Sequence, residues 1–170
     1  MRIAGFGVSI DLPGGWDGRV YSRPLAPPAA LPPGAGEPLL RIPAASGGAA
    51  TLHAANFALP DHTGDFGTGA TAKMPADGVF LALVEYQTGE GLEPGRGLFA
   101  HQGPPARLRP SDFDPAALLL ALAGQAGVQR FFTAAGRPFC LYAVIGSLRR
   151  VAALAPQASL ALRSVAIAAR

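Results

Sequence analysis

Alternating apolar and polar positions begin near the N-terminus. Every second residue from Phe6 to Leu12 is apolar, and this period of two predicts a strand with one apolar face. Pro13-Gly14-Gly15 then favours a turn, and a second strand is predicted from Gly18 to Arg23. We expect these two strands to pair as an N-terminal β-hairpin, with Trp16 at the end of the core.

Two later segments are apolar on both faces. They are Val79–Tyr86 and Phe139–Ile145, and this pattern is typical of central strands that are covered on each side. A strand at Val128–Thr133 should form a hairpin with the second of them, and a further strand is predicted at Thr51–Leu59.

Two helices are predicted in the second half of the chain. Asp114, followed by proline, could cap a short helix in an Ala/Leu run that ends at Gly124. Ser147 could cap a longer helix that runs to about Arg163. Pro156 should kink or split that helix, because proline lacks the backbone N–H.

The order of elements predicts the fold class. Strands come first, and a C-terminal helix leads into a short strand at Val165–Ala168, without alternating β-α-β units. We therefore expect an α+β fold: a single domain over residues 1–170 with a twisted antiparallel sheet. The 22 glycines and 17 prolines concentrate in long loops, a Pro-rich one at 24–38 and a Gly/Asp-rich one at 60–78.

Two short motifs carry a resemblance to a known superfamily. The chain reads DLPGGW after its first predicted strand and PQASLALRSVAI near its end. Both ends are similar to those of Mog1/PsbP-like domains, although the middle of the chain is not. The resemblance implies a twisted antiparallel sheet flanked by helices, and a binding or adaptor role without catalytic residues.

Composition points to a folded domain with a sparsely charged surface. Hydrophobic residues make up 49% of the chain and charged residues only 15%, with a net charge of +3. Such a surface must expose apolar atoms or be covered by a partner. No apolar run is long enough to span a membrane, and the start lacks the pattern of a secretion signal. The lone Cys140 excludes an intrachain disulfide, so we expect a cytoplasmic location.

Asp61, His62 and Asp65 are the candidate ligand residues. They lie together in the Gly/Asp-rich loop and could hold a metal or, with His101, line the pocket of a small-molecule enzyme. The spacing matches no known metal motif, and a solvated loop that uses aspartates for turns explains it as well.

Three other patterns could have a functional role or a purely structural one. Residues 67–72 have the form G-x-G-x-x-A of a dinucleotide site but are followed by Lys73-Met74-Pro75, which does not favour a helix. Cys140 could be a nucleophile with His53 or His101 as base, but its apolar strand favours a core position. Glu85 could face solvent, pair with an arginine or be a buried catalytic carboxylate.

The charge distribution suggests a partner. From Asp61 to Asp114 there are eight acids and four bases, whereas from Pro115 onward there are six arginines and no acid. Arg149 and Arg150 fall in the first turn of the predicted last helix, where the helix dipole disfavours cations. They could bind an anionic partner, or they could simply be solvated. Nucleic acid is disfavoured as that partner, because no recognised nucleic-acid-binding motif is present.

The sequence therefore predicts a non-catalytic binding or adaptor domain without a cofactor. Its partner would be another protein or a second copy of the chain. One alternative is a small-molecule or metal-binding enzyme with a pocket near Asp61–Asp65. The other is an anion or nucleic-acid binder that uses the C-terminal arginines.

Overall fold

The computed structural model describes residues 1–22, 48–88 and 92–169. It has an α+β fold with antiparallel sheets, an N-terminal hairpin, and a C-terminal helix followed by a short strand, as predicted. The Pro-rich segment 24–38 lies outside the described residues. The elements are β1 (Arg2–Gly5), β2 (Val8–Asp11), β3 (Asp17–Ser22), β4 (Ala50–Ala55), α1 (Thr68–Thr71), β5 (Val79–Glu85), β6 (Ala126–Ala134), β7 (Arg137–Ile145), α2 (Val151–Leu162) and β8 (Ala166–Ile167).

The larger sheet has five strands in the order β3-β4-β5-β7-β6, all antiparallel. The two strands predicted to be central, β5 and β7, are buried along their whole length. Alternate residues of β5 point to opposite faces. Leu81 and Leu83 join one apolar cluster, and Phe80 and Val84 join the other. The sheet thus separates two cores.

The N-terminal hairpin is formed by different strands from those predicted. β1 and β2 pair across Phe6-Gly7, whose φ angles are 52° and 75°, as a type I′ turn requires. The predicted pairing of Phe6–Leu12 with Gly18–Arg23 is wrong. β2 instead pairs with β1 and β8 in a separate three-stranded sheet, while β3 pairs with β4.

The three-stranded sheet and α2 cover one face of the larger sheet. Ala155, Ala158 and Ala161 of α2 are fully buried there, and such small residues allow the helix axis to approach the strands closely. The helix is not split at Pro156, because burial of this face outweighs the lost backbone hydrogen bond. No helix in the described segments is long and apolar enough to cross a membrane.

The Ala/Leu run after Asp114 is not the expected helix. Asp114 does accept a hydrogen bond from the Ala116 N–H at 2.8 Å, but only a 3₁₀ turn forms, at Pro115–Ala117. Leu118 then leaves the turn with extended φ and ψ of −73° and 131° and packs against the second core cluster. A second 3₁₀ turn, Leu148–Arg150, precedes α2.

Candidate functional site

The Asp61–Asp65 loop is held in place by buried polar contacts. His53 of β4 is fully buried, and its Nδ1 and Nε2 lie 2.9 Å from Thr63 Oγ1 and the Asp65 carbonyl oxygen. A carbonyl oxygen only accepts, so Nε2 carries the proton and the Thr63 hydroxyl donates to Nδ1. The Arg19 guanidinium of β3 donates to the carbonyl oxygens of Pro60 and Asp61. The loop conformation therefore depends on β3 and β4.

The electrostatics of His53 fit a structural role. Its pKa is lowered from 6.5 to about 4, mainly because the ring is buried. The hydrogen bond to the Asp65 carbonyl oxygen opposes this shift. The imidazole is therefore neutral at pH 7, and both of its nitrogens are engaged by the loop. Its ring also packs edge-on against Tyr21 and Phe80, with centroids 5.4 and 5.2 Å away.

An open groove of about 380 Å³ lies beside this loop. Asp61, His62 and Asp65 all line it, together with Arg19 and Tyr21. Within the part of the chain that the structure describes, no group of three His, Cys, Asp or Glu side chains could hold a metal ion. His101 is not in the groove. Its carbonyl accepts from the Thr133 N–H beside β6, at the opposite edge of the sheet.

The glycines of the G-x-G-x-x-A pattern serve packing. They lead into α1, which has only four residues. Gly67 has a φ of 76°, and a Cβ there would lie 1.9 Å from the Phe80 ring. A Cβ on Gly69 would lie 2.4 Å from the His62 carbonyl oxygen. These close approaches account for both glycines without a nucleotide.

Cys140 and Glu85 are both buried in the interior of the sheet. Burial raises the pKa of the Cys140 thiol to about 12, which disfavours the nucleophilic thiolate. Glu85 pairs with Arg137, one of the outcomes that the sequence left open. Arg137 Nε and Nη2 lie 2.8 Å from the two carboxylate oxygens.

The remaining donors of Arg137 are also used. Nη2 donates to the Phe6 carbonyl oxygen, and Nη1 donates to those of Gly7 and Ala168. All five guanidinium N–H donors are thus occupied. This pair joins the two sheets and has no free donor for a ligand.

An exposed apolar segment runs over residues 118–124, and we name it the leucine loop. Leu119 and Leu120 are 44% and 38% exposed. The loop is nevertheless fixed, because the Leu119 N–H donates to the Tyr142 hydroxyl at 3.0 Å and the Leu148 N–H donates to the Gly124 carbonyl at 2.7 Å. The sequence predicts a helix for this run, and the exposed surface is therefore not predicted from the sequence. On a helix its leucines at 118, 119, 120 and 122 would span roughly 200° of the circumference, and this wide spread indicates that some of them are exposed.

Arg149 and Arg150 lie next to the leucine loop. They follow Leu148, which is bonded to the end of the loop, and both side chains are exposed. They form no ion pair with another residue in the described ranges. The structure thus places the two predicted partner-binding arginines at the edge of an apolar surface. In the strand order of the larger sheet this surface lies near β6, whereas the Asp61–Asp65 groove lies near β3 at the opposite edge.

Comparisons of the chain with protein-family models, curated proteins and solved structures find no match.

Proposed function

We propose that this protein is a non-catalytic binding domain that acts through protein–protein contacts. Its contact surface would be the leucine loop together with Leu148, Arg149 and Arg150. The observation that carries the proposal is the leucine loop itself, because Leu119 and Leu120 are exposed. Hydrogen bonds fix this segment near both ends, one to Tyr142 of β7 and one to the 3₁₀ turn before α2. A fixed loop loses little conformational entropy when a partner covers it.

The charges beside the loop support a protein partner. Interfaces commonly have an apolar centre and a polar rim, and arginine is enriched in them relative to the rest of the protein surface. Covering one exposed leucine stabilises a complex by about 1 kcal/mol, since roughly half of its transfer free energy is still available. Arg149 and Arg150 would add specificity by pairing with carboxylates of the partner.

The alternatives have weaker support. The groove at Asp61–Asp65 is open to solvent. The buried His53 beneath it and Arg19 on its wall already bind the loop backbone. The C-terminal arginines form no dense basic stripe, which nucleic-acid binding would require. The resemblance to Mog1/PsbP-like domains stays a prediction, and the binding role it implies agrees with this proposal.

The test is a comparison of four immobilised proteins in native lysate at low and high salt. They are the wild type, Leu119→Ser/Leu120→Ser, Arg149→Ala/Arg150→Ala and the control Leu160→Ser, which alters a leucine of α2 that is 58% exposed. A tagged second copy of the chain is added to each sample, so that self-association is also scored.

We expect a protein that wild type and the control both retain. The leucine double variant should lose it at either salt concentration, because apolar contacts are insensitive to salt. The arginine double variant should hold it less well, mainly at low salt. If all four proteins retain the same set, or none retains any protein, the leucine loop is not a binding surface and the proposal fails.

A further inference from the structure

Opposite charges flank the leucine loop. On one side lies Asp114, whose backbone exchanges hydrogen bonds of 2.9 and 3.1 Å with Gly127 on the outer side of β6. On the other side lies Leu148, bonded to Gly124, and then Arg149 and Arg150. Asp114 and both arginines are exposed. Asp114 borders the segment 124–127 at Gly127 and Leu148 borders it at Gly124, so the acid and the two arginines lie on opposite sides of this segment.

We propose that the partner bound by the leucine loop is a second copy of this chain, related by a two-fold axis through the loop. A two-fold interface applies one patch to itself, so each side of the patch meets the opposite side of its copy. Asp114 of each copy then faces Arg149 and Arg150 of the other, with Leu119 and Leu120 buried at the axis. This inference rests on the proposed function, since it names the partner for the same surface.

The charge arrangement favours this occupant over an anionic membrane. Two arginines near a membrane surface contribute only about 1 kcal/mol each, and the exposed Asp114 carboxylate in the same patch would be repelled. A patch with both signs of charge on opposite sides is instead complementary to itself. Charged pairs at a rim add modest affinity but fix the orientation of the two partners.

Analytical ultracentrifugation of the purified chain over a wide concentration range tests the inference. The variants are Asp114→Arg, the double reversal Arg149→Asp/Arg150→Asp, and an equimolar mixture of the two. Asp114→Asn is included because asparagine keeps the cap on the Ala116 N–H while it removes the charge. Arg163→Asp is the matched control, since it reverses an exposed arginine at the far end of α2. Circular dichroism checks that each variant is folded.

We expect the wild type and Arg163→Asp to dimerise alike. Each reversal at the loop should weaken the dimer at least about tenfold, since it places like charges opposite each other twice. The mixture should restore dimers, because the two reversals complement each other, and Asp114→Asn should fall between wild type and Asp114→Arg.

Three results would overturn the inference. They are a wild-type monomer at every concentration, loop reversals that leave the dimer unchanged, and arginine-dependent sedimentation of the wild type with phosphatidylserine vesicles. A wild-type monomer that still retains a foreign protein through Leu119 and Leu120 would remove the homodimer and leave the proposed function standing.

Discussion

The buried histidine makes the stability of the fold depend on pH in a defined direction. The pKa of His53 is about 4 in the folded protein, whereas an exposed histidine titrates near 6.5. Between these values the unfolded chain binds more protons than the folded chain. The stabilisation is therefore complete above pH 6.5 and is lost as the pH falls toward 4.

The magnitude follows from the same two pKa values. One pH unit corresponds to about 1.4 kcal/mol, so the full difference between 6.5 and about 4 amounts to about 3 kcal/mol. Integrated over the accessible range, the free energy of unfolding should fall by about 2 kcal/mol between pH 7 and pH 5. Most carboxylates stay ionised over this range, and it is therefore the range to measure.

The assay is urea denaturation from about pH 7 to about pH 5 in roughly half-unit steps, for wild type, His53→Gln and the control His62→Gln. His53→Gln should be less stable than wild type at pH 7, because the loop loses a hydrogen-bonding partner, and its stability should depend much less on pH. His62→Gln removes an exposed histidine from the same loop and should keep the wild-type slope. Equal slopes for wild type and His53→Gln would refute the reasoning.

Two further predictions concern buried structural residues, and each has a matched control for measurement by urea denaturation. Arg137→Met should cost about 3–5 kcal/mol, because it leaves the buried Glu85 carboxylate without its partner, whereas Arg130→Met at an exposed ion pair should cost at most about 1 kcal/mol. An equal loss in both would contradict a structural role for the buried pair. Gly67→Ala should cost about 2–4 kcal/mol, since its new methyl group would overlap an aromatic ring. Gly64→Ala has a similar φ, but its methyl group would make only an ordinary van der Waals contact, 3.5 Å from Thr68 Oγ1, and it should cost about 1 kcal/mol. Similar losses at the two glycines would show that backbone strain alone decides.

The strand pattern predicted the centre of the fold well. A strand with apolar residues on both faces must be covered on both sides. For this reason β5 and β7 could be placed in the middle of the sheet from the sequence alone. A helix that runs to about Arg163 was likewise predicted, and burial of the alanines on one face of α2 explains why Pro156 does not interrupt it.

Local signals failed where tertiary contacts decide the backbone. The alternation from Phe6 to Leu12 continues through a tight turn, because Phe6 adopts a positive φ that usually requires glycine or asparagine. Arg137, which is 131 residues away in the chain, donates a hydrogen bond to the Phe6 carbonyl oxygen in this turn. No local pattern predicts such a contact. The helix expected after Asp114 failed for a similar reason, since Leu118 gains more by packing against the sheet than by continuing a short helix.

The candidate surface could be predicted only in part. Arg149 and Arg150 are distinctive in the charge pattern, but their apolar neighbours are not, because Leu119 and Leu120 fall in the run predicted as a short helix. The proximity of Gly124 to Leu148, which joins the two halves of the surface, depends on the pairing of β6 with β7 and not on any short motif.

The distribution of the Arg137 contacts along the chain affects when the molecule can be completed during synthesis. Arg137 bonds to Phe6 and Gly7, which leave the ribosome long before it, and to Ala168, which leaves 31 residues after it. β2 likewise has no partner on one edge until β8 is made. The nascent chain must therefore keep an unpaired strand edge and an incomplete charge cluster until β8 and Ala168 have been made. Slow elongation would prolong the period in which that edge can pair with another chain. The yields from rapid overexpression and from slow, cold expression should therefore differ. The difference should come from aggregation and not from the stability of the finished fold.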